Sequence, residues 1–309
     1  MKAGGKGPTD VALPHRGTVG GTRAIDVPGH SVWKCLRQAT LKFFGNVERT
    51  DSRRSDCVRV TSVITVCGLA AIAIVPLIAA TWLMPPGFPH LLRQLILCAW
   101  GVGIILVAER GFFSSTLHEA VRTLGFVPAR AAIVIAVLLV SIPMWIFLPL
   151  FAWGSGAGVT LKPNWPALLA GVVMVNGITE EVIHRGFVFG HVRDGRSFAA
   201  AATVSSLLFA AQHLYLIVTM GWAVGLSSVL LAAFLAYPMA WVFERGGRSL
   251  VGPAILHTNT NTPAIILALP EHLMATALVM HMGVILVSVY MVFLVRSGAP
   301  NPSGTAQLA

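Results

Sequence analysis

Charge is what this sequence has least of. Charged residues make up 11 % of its 309 residues, hydrophobic residues 55 %, and the mean hydropathy is +0.76. An ordinary soluble chain carries about 25 % charged residues. A chain this poor in charge is expected to be an all-α polytopic membrane protein rather than a soluble domain. Cysteine is scarce as well. Cys35, Cys57, Cys67 and Cys98 show no paired metal spacing, and two of them fall in apolar runs, so neither a disulfide framework nor a thiolate zinc site is indicated. The first 57 residues contain no early apolar run, so no cleavable signal peptide is expected and the first span acts as its own insertion signal. No internal repeat suggests the inverted halves of a transporter.

What the sequence does have is long apolar stretches. A hydrocarbon core of about 30 Å needs about 20 apolar residues per helix. Eight stretches qualify, at roughly 58–84, 89–109, 131–153, 166–190, 197–219, 221–243, 249–269 and 272–295. Basic residues set their orientation. Of the 22 lysines and arginines, 20 fall on one side of this arrangement and only Arg93 and Lys162 on the other. Both termini are therefore expected in the cytoplasm, with the protein integral to the plasma (inner) membrane. The net charge of +10 follows from this topology and from attraction to anionic lipid headgroups, so no nucleic acid partner is needed.

Outside the membrane part, residues 1–57 read as a cytoplasmic N-terminal region. Its first 30 residues, rich in glycine and broken by Pro8, Pro14 and Pro28, are expected to be disordered. In "SVWKCLRQATLKFFGNV", residues 31–47, the residues Trp33, Leu36, Phe43, Phe44 and Val47 share one helical face. That pattern suits an interfacial helix on the inner leaflet, and equally a short helix packed on the membrane domain. Residues 58–297 form the expected transmembrane domain, and 298–309 a disordered cytoplasmic tail.

Inside the fourth apolar stretch stands "GITEEVIHRG", residues 177–186. Ionisable groups at membrane depth cost about 2.5–3.5 kcal/mol each on insertion scales, and they usually face a cavity or a partner. Glu181 and Arg185, four apart, are placed to pair on a helix. Glu180, rotated from Glu181 by about 100° on an α-helix, has only His184 four residues on and is the carboxylate left to face a cavity. A network in which Glu180, Glu181 and Arg185 merely satisfy one another is the bland alternative. Two further stretches weigh against it. "SLLFAAQHL" sets Phe209 and His213 four apart, and "PAILHTNTN" sets His257 and Asn261 four apart, so a carboxylate, two histidines and an amide lie on three separate apolar helices. Convergence on one buried cavity is the economical explanation.

Three ordered motifs, E-E-x-x-x-R at Glu180, Glu181 and Arg185, F-x-x-x-H at Phe209 and His213, and H-x-x-x-N at His257 and Asn261, resemble those of the CPBP intramembrane proteases. That Abi-related, glutamic-type family includes the type II CAAX prenyl endopeptidases and bacteriocin-processing enzymes. The resemblance covers about residues 130–295. His184 departs from it, since relatives often carry an aromatic residue before the arginine.

The resemblance implies an intramembrane endopeptidase in which Glu180 is the general base and His213 helps to hold the water. It implies that His257 and Asn261 donate to the oxyanion, with Glu181 and Arg185 in support. Peptide hydrolysis needs that cast on chemical grounds as well. No cofactor is expected on this reading. Zinc is the alternative, because two histidines and a carboxylate can hold it, although no H-E-x-x-H helix is present. A proton-coupled carrier or an inactive scaffold is the reading from another class. The expected partners are the lipid bilayer and a membrane-associated protein or peptide substrate, such as a CAAX-type tail, a leader peptide or a C-terminal sorting segment. The protein itself is expected to be a monomer.

Overall fold

The computed structural model describes residues 63–85 and 87–295. The expectations for residues 1–57 and 298–309, and the cysteines at 35 and 57, lie outside the described residues. Cys67 and Cys98 are free thiols.

Helices dominate the described part, and their order follows the apolar stretches. Helix α1 spans Val63–Leu83 and α2 spans His90–Ala108, continued by a π-helical turn at Glu109–Phe113. The short α3, Leu117–Thr123, starts where the Thr116 hydroxyl accepts from the Glu119 amide at 3.1 Å. Glu119 in turn accepts from the Ser115 amide and hydroxyl, both at 2.6 Å, and these bonds hold its exposed carboxyl below the usual carboxylate range. Helix α4 covers Ala131–Gly154, and α5 covers Trp165–Val172 before passing into π-helical runs at Val173–Glu180 and Val182–Phe189 and a last α-turn, α6, at Gly190–Arg193. Helix α7 is Phe198–Gln212, α8 is Tyr215–Arg245, α9 is Val251–Ile266 and α10 is Glu271–Tyr290. A two-residue antiparallel pair, β1 (Thr160–Leu161) with β2 (Leu267–Ala268), ties the α4–α5 connection to the end of α9.

Among the described residues six helices are long and apolar enough to cross a membrane, rather than the eight expected. Helices α7 and α9 have 15 and 16 residues. At about 1.5 Å per residue neither reaches across a core of about 30 Å. The sequence places a boundary near residue 220, whereas α7 ends at Gln212 and α8 starts at Tyr215. The side chain of His213 turns back onto the Phe209 carbonyl there, at 2.7 Å. Gly221 instead lies within α8 as a local break, at φ 77° and ψ 171°, a conformation essentially reserved for glycine.

Apolar residues face outward as readily as inward, as a lipid-facing bundle requires. Along α4, Ile135, Leu138, Leu139, Ile142, Ile146 and Leu150 are exposed, while Ile133, Val137, Met144 and Leu148 are buried. Ends and faces are otherwise sharply distinguished. At one end the connections meet: Arg193 pairs with Glu244 at 2.8 Å, Arg248 pairs with Asp194 at 3.1 Å, and the Leu250 amide donates to Gly125. At the other end lies the β1–β2 pair, with the Lys162 ammonium on the Ile265 carbonyl at 2.7 Å.

Candidate active site

The strongest departure from the sequence reading is the backbone around the two glutamates. Residues 173–180 and 182–189 are π-helical rather than α-helical. The Thr179 hydroxyl follows the same wide turn and donates to the Met174 carbonyl, five residues back, at 2.9 Å. Such turns are rare and concentrate at functional sites. Widening the turn reduces the angle between successive side chains, so Glu180 and Glu181 are not on separate faces as α-geometry predicts. Both reach His257 of α9: Nδ1 lies 2.7 Å from Glu181 Oε1, and Nε2 lies 3.7 Å from Glu180 Oε2.

Glu181 also takes Arg185, Nη1 to Oε1 at 3.0 Å, with both side chains fully buried. This is the pair expected from their spacing. The guanidinium lies 4.6 Å above the Phe209 ring, and its Nη2 contacts Met239 Sδ at 3.3 Å. Phe209 is thus the platform of the site. Its ring also meets His184 at 4.8 Å, His213 at 4.6 Å and His257 at 5.6 Å, each edge to face. Its place in the motif gives no hint of this, because the spacing shows only that it shares a face with His213.

Glu180 keeps one oxygen in reserve. Oε1 accepts from Asn176 Nδ2 at 3.3 Å, whereas Oε2 is buried without a hydrogen-bond partner among the described residues. His184 does not approach Glu180, as α-spacing suggests, but bonds Gln212 Oε1 through Nε2 at 2.7 Å. Its backbone carbonyl accepts from Ser205 of α7 at 3.0 Å. His184 therefore ties the glutamate-bearing run to α7, which is the structural content of the departure from the family pattern.

His213 Nδ1 lies on a carbonyl oxygen, so Nδ1 carries the proton and Nε2 of the neutral ring is left as an acceptor. His257 is placed differently: Nδ1 donates to Glu181, and Nε2 faces the Glu180 carboxylate rather than a carbonyl. Asn261 Nδ2 is turned back on its own helix, 3.2 Å from the His257 carbonyl and 3.4 Å from Thr260 Oγ1.

Glu180, His213, His257 and Asn261 all line one cavity of about 520 Å³. The cavity lies in the half of the bundle next to β1–β2, between the first turns of α2, the outer part of α5, the end of α7, the first half of α8 and the second half of α9. Helix α7 ends at this cavity, where the chain turns at His213 into α8, and irregular backbone at membrane depth is tolerated where it lines a cavity. Asn176, Gln212, His90 and Tyr215 share the lining and carry no motif signal in the sequence, and Arg93, which the sequence marks only by its side of the membrane, lines it too. Asn176 could have been found, since it stands four residues before Glu180.

Residues 162–263 match the family model of Rce1-like type II CAAX prenyl endopeptidases. Every motif residue lies inside the matched segment. The endopeptidase family is one of peptide hydrolases, so the chain carries the segment of a membrane-embedded protease. No curated protein matches the chain. For the zinc alternative, no three His, Cys, Asp or Glu side chains among the described residues are grouped to hold a metal ion, and His257 offers both nitrogens to carboxylates instead. This donor set does not fit a zinc site, and no step of the mechanism is routed through one.

Proposed function

We propose that the protein cleaves a peptide bond of a membrane-associated chain by a water that Glu180 activates. The observation that carries this reading is Glu180 Oε2, which makes no hydrogen bond among the described residues, stands 3.7 Å from His257 Nε2 and is buried at a cavity that Glu180 shares with His213, His257 and Asn261. A water there can give one hydrogen to Glu180 Oε2 and the other to the bare Nε2 of His213, which leaves an oxygen lone pair for the carbonyl carbon. Glu180 takes the first proton as the C–O bond forms. It returns that proton to the leaving nitrogen as the C–N bond breaks, so the carboxylate is regenerated and the products are an acid and an amine.

His257 Nε2 is the donor for the oxyanion. It donates when the ring carries both protons, with Nδ1–H held on the Glu181 carboxylate at 2.7 Å. Asn261 joins it when Nδ2 leaves its 3.4 Å contact with Thr260. Glu181, Arg185 and Phe209 hold the imidazole in place and touch no reacting atom. The substrate is a membrane-associated protein or peptide reaching the cavity from the β1–β2 end. By the distribution of basic residues that end faces away from the cytoplasm, with both termini inside.

The test is Glu180→Gln in purified protein. Glutamine keeps the shape but cannot take the proton, so cleavage of a reporter substrate should vanish while the unfolding temperature stays at the wild-type value. Cleavage persisting near the wild-type rate in folded Glu180→Gln would end this assignment.

A further inference from the structure

Gln212 is the last residue of α7, next to His213, and its buried side chain lines the cavity. Its carbonyl oxygen, Oε1, lies 2.7 Å from Nε2 of the fully buried His184. The other ring nitrogen of His184, Nδ1, is buried and has no partner among the described residues. A buried lone pair without a donor is tolerated more often than a buried N–H without an acceptor. The proton of the neutral ring therefore sits on Nε2 and is donated to Gln212. That bond fixes the amide one way round, with its oxygen toward His184 and its NH2 group turned from it. The NH2 group meets no acceptor among the described residues. Buried polar groups find a partner almost without exception, so two unused donors at a cavity wall point to a ligand that takes them.

The two oxyanion donors named above are less free. Asn261 Nδ2 has an acceptor for each of its hydrogens, the His257 carbonyl at 3.2 Å and Thr260 Oγ1 at 3.4 Å. His257 Nε2 faces Glu180 Oε2 at 3.7 Å. Gln212 has nothing to give up first. Oxyanion stabilisation depends on donors already aimed where charge develops, because turning them during the reaction costs energy. Gln212 also belongs to the reacting cluster. Its partner His184 stands four residues after Glu180, and the Phe209 ring that meets His184 at 4.8 Å also meets His213 at 4.6 Å and His257 at 5.6 Å. We propose that Gln212 is a further catalytic residue, whose NH2 group donates to the carbonyl oxygen of the bond being cut, and that His184 is the positioning residue that aims it. As the water oxygen bonds to the carbonyl carbon, the π electron pair of the C=O moves onto its oxygen, and the Gln212 hydrogen bond strengthens with that charge. No proton leaves the amide, and the carbonyl re-forms as the C–N bond breaks. This rests on the proteolytic reading and adds a donor to it.

The experiment measures binding to the detergent-solubilised full chain in the Glu180→Gln background, whose neutral side chain stands for the glutamate once it has taken the proton. The probes are an acetylated and amidated apolar decapeptide and the same peptide with a phosphinate in place of its central amide. The phosphinate puts a negative oxygen where the tetrahedral intermediate carries one, so it should bind tighter than the parent. Gln212→Met should weaken the phosphinate about ten-fold or more and leave the parent peptide within about two-fold. His184→Phe removes the bond that aims the amide and should lose part of the same preference. The double variant should bind the phosphinate no more weakly than Gln212→Met alone, because the two residues act as one unit. Should Gln212→Met fail to fold because the buried His184 N–H loses its acceptor, the double variant carries the test, since it removes both polar partners together. With Glu180 intact, Gln212→Met should lower kcat for the reporter substrate by about 10² to 10³ at little change in KM.

A phosphinate preference that persists in folded Gln212→Met, or an equal loss of phosphinate and parent, overturns the donor. So does a raised KM at unchanged kcat, which would place Gln212 in binding of the uncut peptide alone. Losses from Gln212→Met and His184→Phe that simply add in the double variant overturn the positioning role of His184. Failure of the proteolytic reading has a different signature: the phosphinate then binds no tighter than the parent while Gln212 and His184 are both intact, and the donor falls with it.

Discussion

Arg185 shows how much one side chain can hold together at the residue scale. It is fully buried, pairs with Glu181 and lies over Phe209, so its loss leaves Glu181 with His257 alone and removes the support under the motif phenylalanine. Removing one partner of a buried pair costs about 3–5 kcal/mol. Arg185→Ala is expected to lower the thermal unfolding temperature markedly and to lower expression. Arg193 offers the contrast. Its bridge to Glu244 is about one third exposed, and such pairs are worth about 0–1 kcal/mol, so Arg193→Ala should unfold close to wild type. Equal losses in the two variants would contradict the burial seen here. At the reacting centre, Asn261→Ala should leave slow residual cleavage, since one oxyanion donor is worth about 10² to 10³ in rate. A rate within two-fold of wild type would show that Asn261 Nδ2 never leaves its own helix.

The critical element is the run from Trp165 to Arg193, whose two π-helical stretches end at Glu180 and resume at Val182, on either side of Glu181. Gly186 follows Arg185, and a Cβ placed there would press on the backbone of Leu124 at the end of α3. That neighbour is main chain and cannot rotate away. Gly186→Ala should therefore destabilise by about 1–3 kcal/mol, read as a drop in unfolding temperature. Gly68, in α1, has nothing within 4 Å of its added Cβ. Gly68→Ala should be neutral or stabilising by about 1 kcal/mol, because glycine is a poor residue for a helix interior. If both alanines behaved alike, close packing of the glutamate-bearing run against α3 would be refuted. The same element explains the failure of α-helical spacing: the (i, i+4) rule found Arg185 for Glu181 but misplaced His184, which serves Gln212 on α7.

For the whole molecule, the two ends of the bundle differ in charge and in content. Arg193, Glu244, Arg248 and Asp194 lock the connections at one end, while the cavity and Lys162 lie toward the other. A reporter inserted at Gly195 or Gly247 is expected to read as cytoplasmic, and one at Gly156 as extracytoplasmic. These glycines have open space around the added Cβ and connect elements rather than continue them. The reverse pattern would invert the entry route proposed for the substrate and would break the 20 to 2 distribution of basic residues as a guide.

The sequence by itself determined the solvent, the helical class and which motif residues would meet at one cavity. Hydropathy and basic-residue asymmetry are properties of local windows, and the pairs Glu181–Arg185, Phe209–His213 and His257–Asn261 are four-residue relations within single helices. It could not count the full spans, because α7 ends at Gln212 within an apolar stretch that runs on past it and α9 has only 16 residues. Nor could it show that Glu180 and Glu181 share one imidazole, since His257 is 76 residues from Glu181 and the π-helical turn that brings both carboxylates to it is not written in periodicity. The packing of α2 against the glutamate-bearing run decided that Arg93 and His90 face the cavity. Only the tertiary structure sets the relative positions of groups on different helices, and the distances between those groups are what make a site.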